Sequence, residues 1–538
     1  MDSLEENKPF GKRLLTNLLD ERARRTPDRI FAEVPNGQTL EHGFKDYTYA
    51  EMANAVNVMT HWLRSELEKY PDSGSGPIPY IGPNDLRYIL ILFAAQKVGR
   101  PMLVPLRYNN PEAQVSLIQQ SKSKHLFSSA CSKALWQPTL TALANNVAYS
   151  EVPPVAFFLY HDPVPTIPMN RSWDEAKDEY MIILQSSGTT GAPKILPWTF
   201  STWARMDAFK GFADKVLLPS IYHPGARIIA ALDMSWAVAL LIGGALPIWY
   251  EIIPTLLPPD APSPMTADYL YRAHKVAKPS VAMFIPTLLR DIVRDEERRD
   301  IFPSLEAIVY AGAPLDTATG DTLETMTKVR SGIGSTEVGL HPQLCPRDPP
   351  HWSYLNFATS YEGFELRPFI VEDQIYEMVV VKHADALRPC FLSNPETQVY
   401  STHELWQQHP TEKDWYKMIG RTDDFVKLSS MTKFNAAEIE RWICEDEHVE
   451  TCLVGGDEKN SPFAIVQPKE VQDGEEGFNR IWRTMERVNE RMYTEARIRR
   501  EFIIIAREKK IVRTAKDTVG RKATLNLFED EIEHLYRK

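Results

Sequence analysis

Residues Ser186–Lys194 read SSGTTGAPK and follow directly on the apolar run Tyr180–Gln185, YMIILQ. A strand that empties into such a loop is a good cradle for a polyanion. The glycines let backbone N–H groups come close, the hydroxyls of Ser186, Ser187, Thr189 and Thr190 add donors, and Lys194 supplies positive charge. The spacing is not that of the P-loop, which holds four residues between its first glycine and a Gly-Lys pair. By itself the string also fits a glycine-rich turn between two strands. Its meaning therefore depends on the rest of the chain.

That chain has 538 residues, too many for one compact core, so two to four domains are expected. Its 43% hydrophobic and 25% charged content is ordinary for a soluble globular protein. A net charge of -11 argues against a general affinity for nucleic acid or for an anionic membrane. The cysteines Cys131, Cys345, Cys390, Cys444 and Cys452 are scattered and form no CxxC pair. Neither a zinc ribbon nor a disulfide framework is indicated, and a reducing, cytoplasmic setting is expected. The N-terminal MDSLEENKPFGKR lacks the apolar centre of a signal peptide. The most apolar segment, Val238–Trp249, is too short to span a bilayer and is expected to form a buried strand or a helix–strand corner.

Periodicity predicts helices over Leu14–Arg25, stopped at Thr26-Pro27, and over Tyr47–Leu67, with a stripe through Met52, Ala55, Met59 and Leu63. Tyr88–Val98 is more continuously apolar and predicts a buried helix. Short β-like runs at Met181–Leu184, Ala282–Pro286 and Ala307–Tyr310 alternate with helical patterns. Such alternation indicates an α/β architecture with a largely parallel sheet. From Glu362 to Val381 the pattern turns to hairpin-like strands, and after Gly420 to charged, mixed α/β segments. The best boundary lies near Arg421–Asp424. It gives a large N-terminal part, 1–422, with parallel-rich sheets, and a small α+β C-terminal part, 423–538.

Downstream of SSGTTGAPK stand, in order, YAGAPL (Tyr310–Leu315), GIGSTE (Gly332–Glu337), YSTHEL (Tyr400–Leu405), GRTDD (Gly420–Asp424), KLSSMTKFNAAEIE (Lys427–Glu440) and RTAKDTVGRK (Arg513–Lys522). Taken together they resemble the ordered motifs of the adenylate-forming superfamily, which contains acyl-CoA ligases, adenylation domains of nonribosomal peptide synthetases, and luciferases. The resemblance implies ATP-dependent activation of a carboxylic acid to an acyl-adenylate with release of pyrophosphate. It assigns Ser186, Ser187, Gly188, Thr189, Thr190, Gly191 and Lys194 to the phosphates, and Ala311, Gly312 and Ala313 to adenine. Ser335 and Thr336 would stand at the α-phosphate and Glu337 would hold Mg²⁺. A carboxylate beside phosphates makes chemical sense only with a metal between them. Ile333 occupies the place of an aromatic residue. Glu404 takes the place of the ribose-binding aspartate, Arg421 would contact ribose or phosphate, and Asp423 would be the pivot of a mobile C-terminal domain. The lysine that screens the two anions as they meet is Lys516 or, as second choice, Lys522.

The stretches HELWQQHP and AKDTVGRKATLNLFEDEIEHLY look like adenylation domains of fungal NRPS-like carboxylate reductases of the aminoadipate-reductase type, with a role in secondary metabolism. Neither a GxDSL-type phosphopantetheine site nor a GxxGxxG follows the last motif, so the acceptor is expected in trans: a carrier-protein thiol, CoA, or a small amine or alcohol. Other biosynthetic enzymes are the expected partners. The resemblance places His223, Ala230, Asp233, Gly312 and Gly334 around the acid. Ala230 stands where amino-acid-activating domains hold an aspartate, which favours an acid without an α-amino group and leaves an amino acid open. Two alternatives remain: an acid–CoA ligase, against which Ser430 in place of glycine counts, and a nucleotide-binding protein that has lost catalysis.

Overall fold

The computed structural model describes the chain except residues 1–3, 72–73, 108, 145, 187–192, 213–216, 260, 263, 346, 359–362, 384–386, 431, 471–474, 493, 514–518 and 538. Two compact units result: Met1–Phe364 with Val380–Tyr400, and Glu365–Val379 with Ser401–Lys538.

The first unit contains two large sheets. One has seven strands in the order Lys328–Ser331, Ala307–Tyr310, Val281–Phe284, Arg227–Ala230, Ile253–Thr255, Ile30–Pro35 and Phe44–Thr48. Every neighbouring pair is parallel except the last. The second has six strands in the order Ala148–Val152, His125–Ser129, Ile78–Ile81, Met102–Leu103, Tyr180–Ser186 and Lys194–Thr199, again parallel but for the final pair. Strands such as Val281–Phe284 and Ala307–Tyr310 are buried along their whole length. That is the mark of parallel strands covered on both faces, and it explains their unbroken apolar sequence.

The helices that cover these sheets begin where local chemistry allows. Tyr49–Lys69 starts at Thr48, whose hydroxyl accepts the Glu51 N–H while the Glu51 carboxylate accepts the Thr48 N–H, a reciprocal cap. Arg87–Lys97 is buried throughout, as its continuous apolar pattern predicts. Val238–Trp249 differs from expectation. It is helical: an α-turn at Ala237–Leu240, a π-helical turn at Leu241–Ala245 and a further α-segment at Leu246–Tyr250. An apolar run of this length cannot be assigned by periodicity alone. Tertiary packing decides it, because Gly244 lets the π-turn press on Ile89, which a Cβ there would meet at 3.1 Å.

The second unit is α+β. Its core lies between helices Ala436–Ile443 and Glu475–Asn489 and a sheet of Val449–Gly455, Phe463–Pro468 and Ile503–Ile505. Hairpin Phe425–Lys427/Lys433–Asn435 precedes the first of these helices. No helix among the described residues is long and apolar enough to cross a membrane.

Candidate active site

In an open parallel sheet, ligands bind in the crevice beyond the carboxyl ends of the strands. In the seven-stranded sheet those ends are in register: Ala230 pairs with Met283, Phe284 with Tyr310, and Tyr310 with Ser331. The segments that leave them carry Ala230, Ala311–Ala313 and Gly332–Glu337, so the fold itself gathers these residues at one sheet edge. Ala311 N–H donates to the Phe284 carbonyl and Gly332 N–H to that of Tyr310. Gly312 has φ +91°, a conformation open to glycine and strained for other residues.

Gly334–Ser335 pairs antiparallel with Gly339–Leu340, which makes Thr336, Glu337 and Val338 the tip of a tight hairpin. A Cβ on Gly334 would stand 2.7 Å from the Gly339 carbonyl oxygen and 2.8 Å from Leu340 Cα. Both obstacles are backbone, so only glycine lets the two arms close. The tip is fastened from behind. The Glu337 carbonyl accepts the Cys390 N–H at 3.0 Å, and the Val338 carbonyl accepts from the buried Arg388 guanidinium, which also lies 4.4 Å over the Phe364 ring. This leaves the side chains of Thr336 and Glu337 half-exposed on a braced turn.

SSGTTGAPK is the connection of another hairpin. Tyr180–Ser186 and Lys194–Thr199 are antiparallel, with Ser186 directly opposite Lys194. Ser187, Gly188, Thr189, Thr190 and Gly191 lie outside the described residues. The base of the connection is held by Gln185, whose Oε1 accepts from Leu106 N–H at 3.3 Å and Asn109 Nδ2 at 2.9 Å, and by Pro193, whose carbonyl accepts Gln120 Nε2.

In the second unit, Glu404 and Arg421 face each other across neighbouring strands. Arg421 Nε donates to Asp423 Oδ1 at 2.9 Å, and the Arg421 N–H donates to Asp424. Burial opposes the charge on Arg421, yet the Asp423, Asp424 and Glu404 carboxylates outweigh it and hold the guanidinium above its ordinary pKa. His403, φ +62°, bonds Thr422 Oγ1 at 2.8 Å. Lys516 lies outside the described residues. Among the described residues on either side of it, Arg513 bridges Val519 antiparallel and Gly520 N–H donates to the Val512 carbonyl. Lys522 is exposed in helix Arg521–Leu527.

Residues 19–361 match the AMP-binding enzyme family, and residues 423–538 match the AMP-binding enzyme C-terminal domain. The chain belongs to the AMP-binding enzyme family. This AMP-binding enzyme is 28% identical over 548 residues to the carboxylic acid reductase of Neurospora crassa, covering 99% of this chain and 51% of that protein. It is 27% identical over 544 residues to the isocyanide synthase–NRPS hybrid crmA of Aspergillus fumigatus, covering 98% of this chain and 34% of that one. The chain thus spans about half, or less, of the length of these relatives. Its fold matches that of the anthranilate CoA ligase AuaEII in complex with anthranoyl-AMP, with a TM-score of 0.72 at 15% identity, covering 97% of this chain and 98% of the other.

Among the described residues no group of three or more His, Cys, Asp or Glu side chains is placed to hold a metal. Mg²⁺ held by one or two carboxylates and by nucleotide phosphates needs no such cluster, so Glu337 on its braced tip fits that role.

The residues expected around the acid do not all share one place. His223 precedes strand Arg227–Ala230, at the amino end of the sheet, and its Nε2 bonds Glu306 at 2.8 Å on the exposed surface. It is therefore on the side opposite the crevice. The Glu306 bond holds its pKa above the ordinary value, against a smaller effect of burial. Its buried neighbour Tyr222, rather than His223, lines an internal cavity together with Ser331, His341 and Gln343. Asp233 accepts from the N–H and Oγ of Ser235 and stands 3.7 Å from Arg107. Those partners account for its carboxylate. Sequence reasoning missed Ser331, His341 and Gln343. Their signal was position alone, since they flank the GIGSTE element on either side.

Proposed function

We propose that this AMP-binding enzyme activates a small carboxylic acid with ATP for transfer to an acceptor in trans. The braced Thr336–Glu337 tip, set at the carboxyl ends of a parallel sheet beside an internal cavity, is the observation that carries the reading. A substrate carboxylate oxygen attacks the α-phosphorus. A new O–P bond forms as the bond to the bridging oxygen breaks, and pyrophosphate leaves with its electron pair. Ser186–Gly191 and Lys194 bind the phosphates. Ala311–Ala313 flank adenine, and Ser335 and Thr336 face the α-phosphate. Glu337 holds Mg²⁺, which when bound neutralises phosphate charge. Glu404 and Arg421 hold the ribose. Lys516 screens the two anions at the moment they meet. Ala230, Asp233, Gly312 and Gly334 adjoin the acid. The division of labour falls at 1–422 and 423–538, with Asp423 as the pivot of the second part.

The acceptor we favour is a carrier-protein thiol, because relatives named reductases and NRPS hybrids extend well beyond the part this chain matches. CoA or a small amine or alcohol is the alternative. Exchange of labelled pyrophosphate into ATP across a panel of carboxylic and amino acids tests the first step. Acid-dependent exchange is expected; ATP binding without exchange for any acid would leave only a nucleotide-binding protein. Adding CoA or a loaded carrier to an active acid then identifies the acceptor.

A further inference from the structure

Ser331 and Gly332, which lead into the Thr336–Glu337 hairpin, form one wall of a narrow cavity of ≈ 30 Å³. That is room for about two water molecules or the end of a small group. The rest of the lining is mainly apolar, with Leu241 and Ile242 from the π-turn and Met283 and Val309 from two central strands. Among the described residues that line it there is no Asp, Glu, Lys or Arg. Tyr222 and His341 are the ionisable side chains that do line it, so a charged end group, whether an ammonium or a second carboxylate, would be desolvated there with no carboxylate, ammonium or guanidinium to offset its charge, at heavy cost.

One polar group in this wall is unusual. Gln343 is only 7% exposed, and its Nε2 donates to the Ser331 carbonyl at 2.8 Å. A carbonyl can only accept, so this bond settles which end of the amide is which. It leaves Oε1 as a buried acceptor for which no donor among the described residues is in place. A buried acceptor without a partner is costly and calls for an explanation, such as an ordered water or a ligand.

Resting on the acid-activation reading above, we propose that the cavity receives the distal end of the acid, a compact apolar group ending in one neutral hydrogen-bond donor, and that Gln343 Oε1 accepts that donor. A hydroxyl or an aryl amine has the required chemistry. The cavity's small volume means that only the end of the acid enters it, and the flexible Met283 can re-pack around that end. A matched acid without the donor strands Oε1 and displaces any water that would have satisfied it. Discrimination by such a site is expected to be about tenfold to a hundredfold.

The test uses the full chain and matched pairs: benzoate with para-hydroxybenzoate, benzoate with para-aminobenzoate, and butyrate with gamma-hydroxybutyrate. Binding is followed by calorimetry in the presence of AMP, and pyrophosphate exchange is measured in parallel. For at least one pair the donor-bearing acid should bind about tenfold tighter or better in the wild type. Gln343→Leu should remove that preference by weakening the donor-bearing acid while sparing its partner. Equal binding within every wild-type pair would mean that Oε1 holds only a water, and would overturn the inference even if the variant did not fold. A preference that survives Gln343→Leu also overturns it. Preferential binding without exchange would sustain the pocket and sink the activation reading, whereas exchange without preference would do the opposite.

Discussion

Replacing Glu440 with glutamine tests the half-buried polar cluster of the second unit. Glu440 Oε1 accepts both the Val454 N–H and Arg521 Nη2 at 2.7 Å, while Arg521 Nη1 donates to the Val454 carbonyl. Asp424 stands 3.6 Å from Arg521 Nε. Burial pushes the Glu440 carboxyl up to about 7; Arg521 and the Val454 N–H pull it down, and Asp424 adds to the rise. Asp424 is raised as well, again chiefly by burial. A carboxyl whose folded pKa exceeds its unfolded value takes up a proton on folding at intermediate pH. Its contribution to stability is whole below the unfolded pKa and is lost as pH climbs to the folded one. Moving from the ordinary 4.5 to about 7, at roughly 1.36 kcal/mol per pH unit, makes that loss about 3 kcal/mol.

Glutamine keeps an acceptor oxygen and the shape of the side chain, and it cannot titrate. Relative to wild type, Glu440→Gln should therefore gain about 3 kcal/mol of stability as pH is raised from about 4.5 to about 7. Urea unfolding of the full chain at constant ionic strength measures the difference. Hydrogen exchange of strand Val449–Gly455, which contains the Val454 amide, localises it. Parallel pH profiles would refute the reasoning. So would a variant that loses ground with rising pH, since that would mean Arg521 dominates and the folded pKa is low.

Three further outcomes follow from the same geometry. Gly334→Ala should cost about 1–3 kcal/mol in denaturant unfolding and at least about a hundredfold in pyrophosphate exchange, because its methyl group would press on backbone in the Thr336–Glu337 hairpin. Lys516→Ala should lower exchange about a hundredfold or more, with Lys522→Ala within about threefold of wild type; the reverse result would transfer the role to Lys522. His223→Ala, on the surface beside Glu306, should leave exchange within about twofold of wild type and change stability by no more than about 0.5 kcal/mol. A tenfold loss would return His223 to the acid pocket.

Much of the α/β frame was legible in the sequence. Ala307–Tyr310 and the helices near Leu15–Arg25, Tyr49–Lys69 and Arg87–Lys97 stand close to where periodicity predicts them, because continuous burial and a one-sided apolar stripe both leave periodic traces. Val238–Trp249 was not legible. Its residues are buried all round, so no periodicity distinguishes strand from helix, and the contact between Gly244 and Ile89 comes from distant parts of the chain.

The order of the motifs, from SSGTTGAPK to RTAKDTVGRK, is a property of the sequence alone, and it was sufficient to indicate an adenylate-forming enzyme. The tertiary structure decided where side chains go relative to the two ends of the sheet. Parallel strands place Ala230, Gly312 and Glu337 at the carboxyl ends and leave His223, only a few residues before Ala230, at the opposite end. Tertiary structure also decided that Ser186 and Lys194 face each other across a hairpin, that Gln343 lines a mainly apolar cavity with its amide bonded to the Ser331 carbonyl, and that Arg521 joins Glu440 and Asp424. Each of these depends on strand direction and pairing between residues far apart in the chain, which no local pattern encodes.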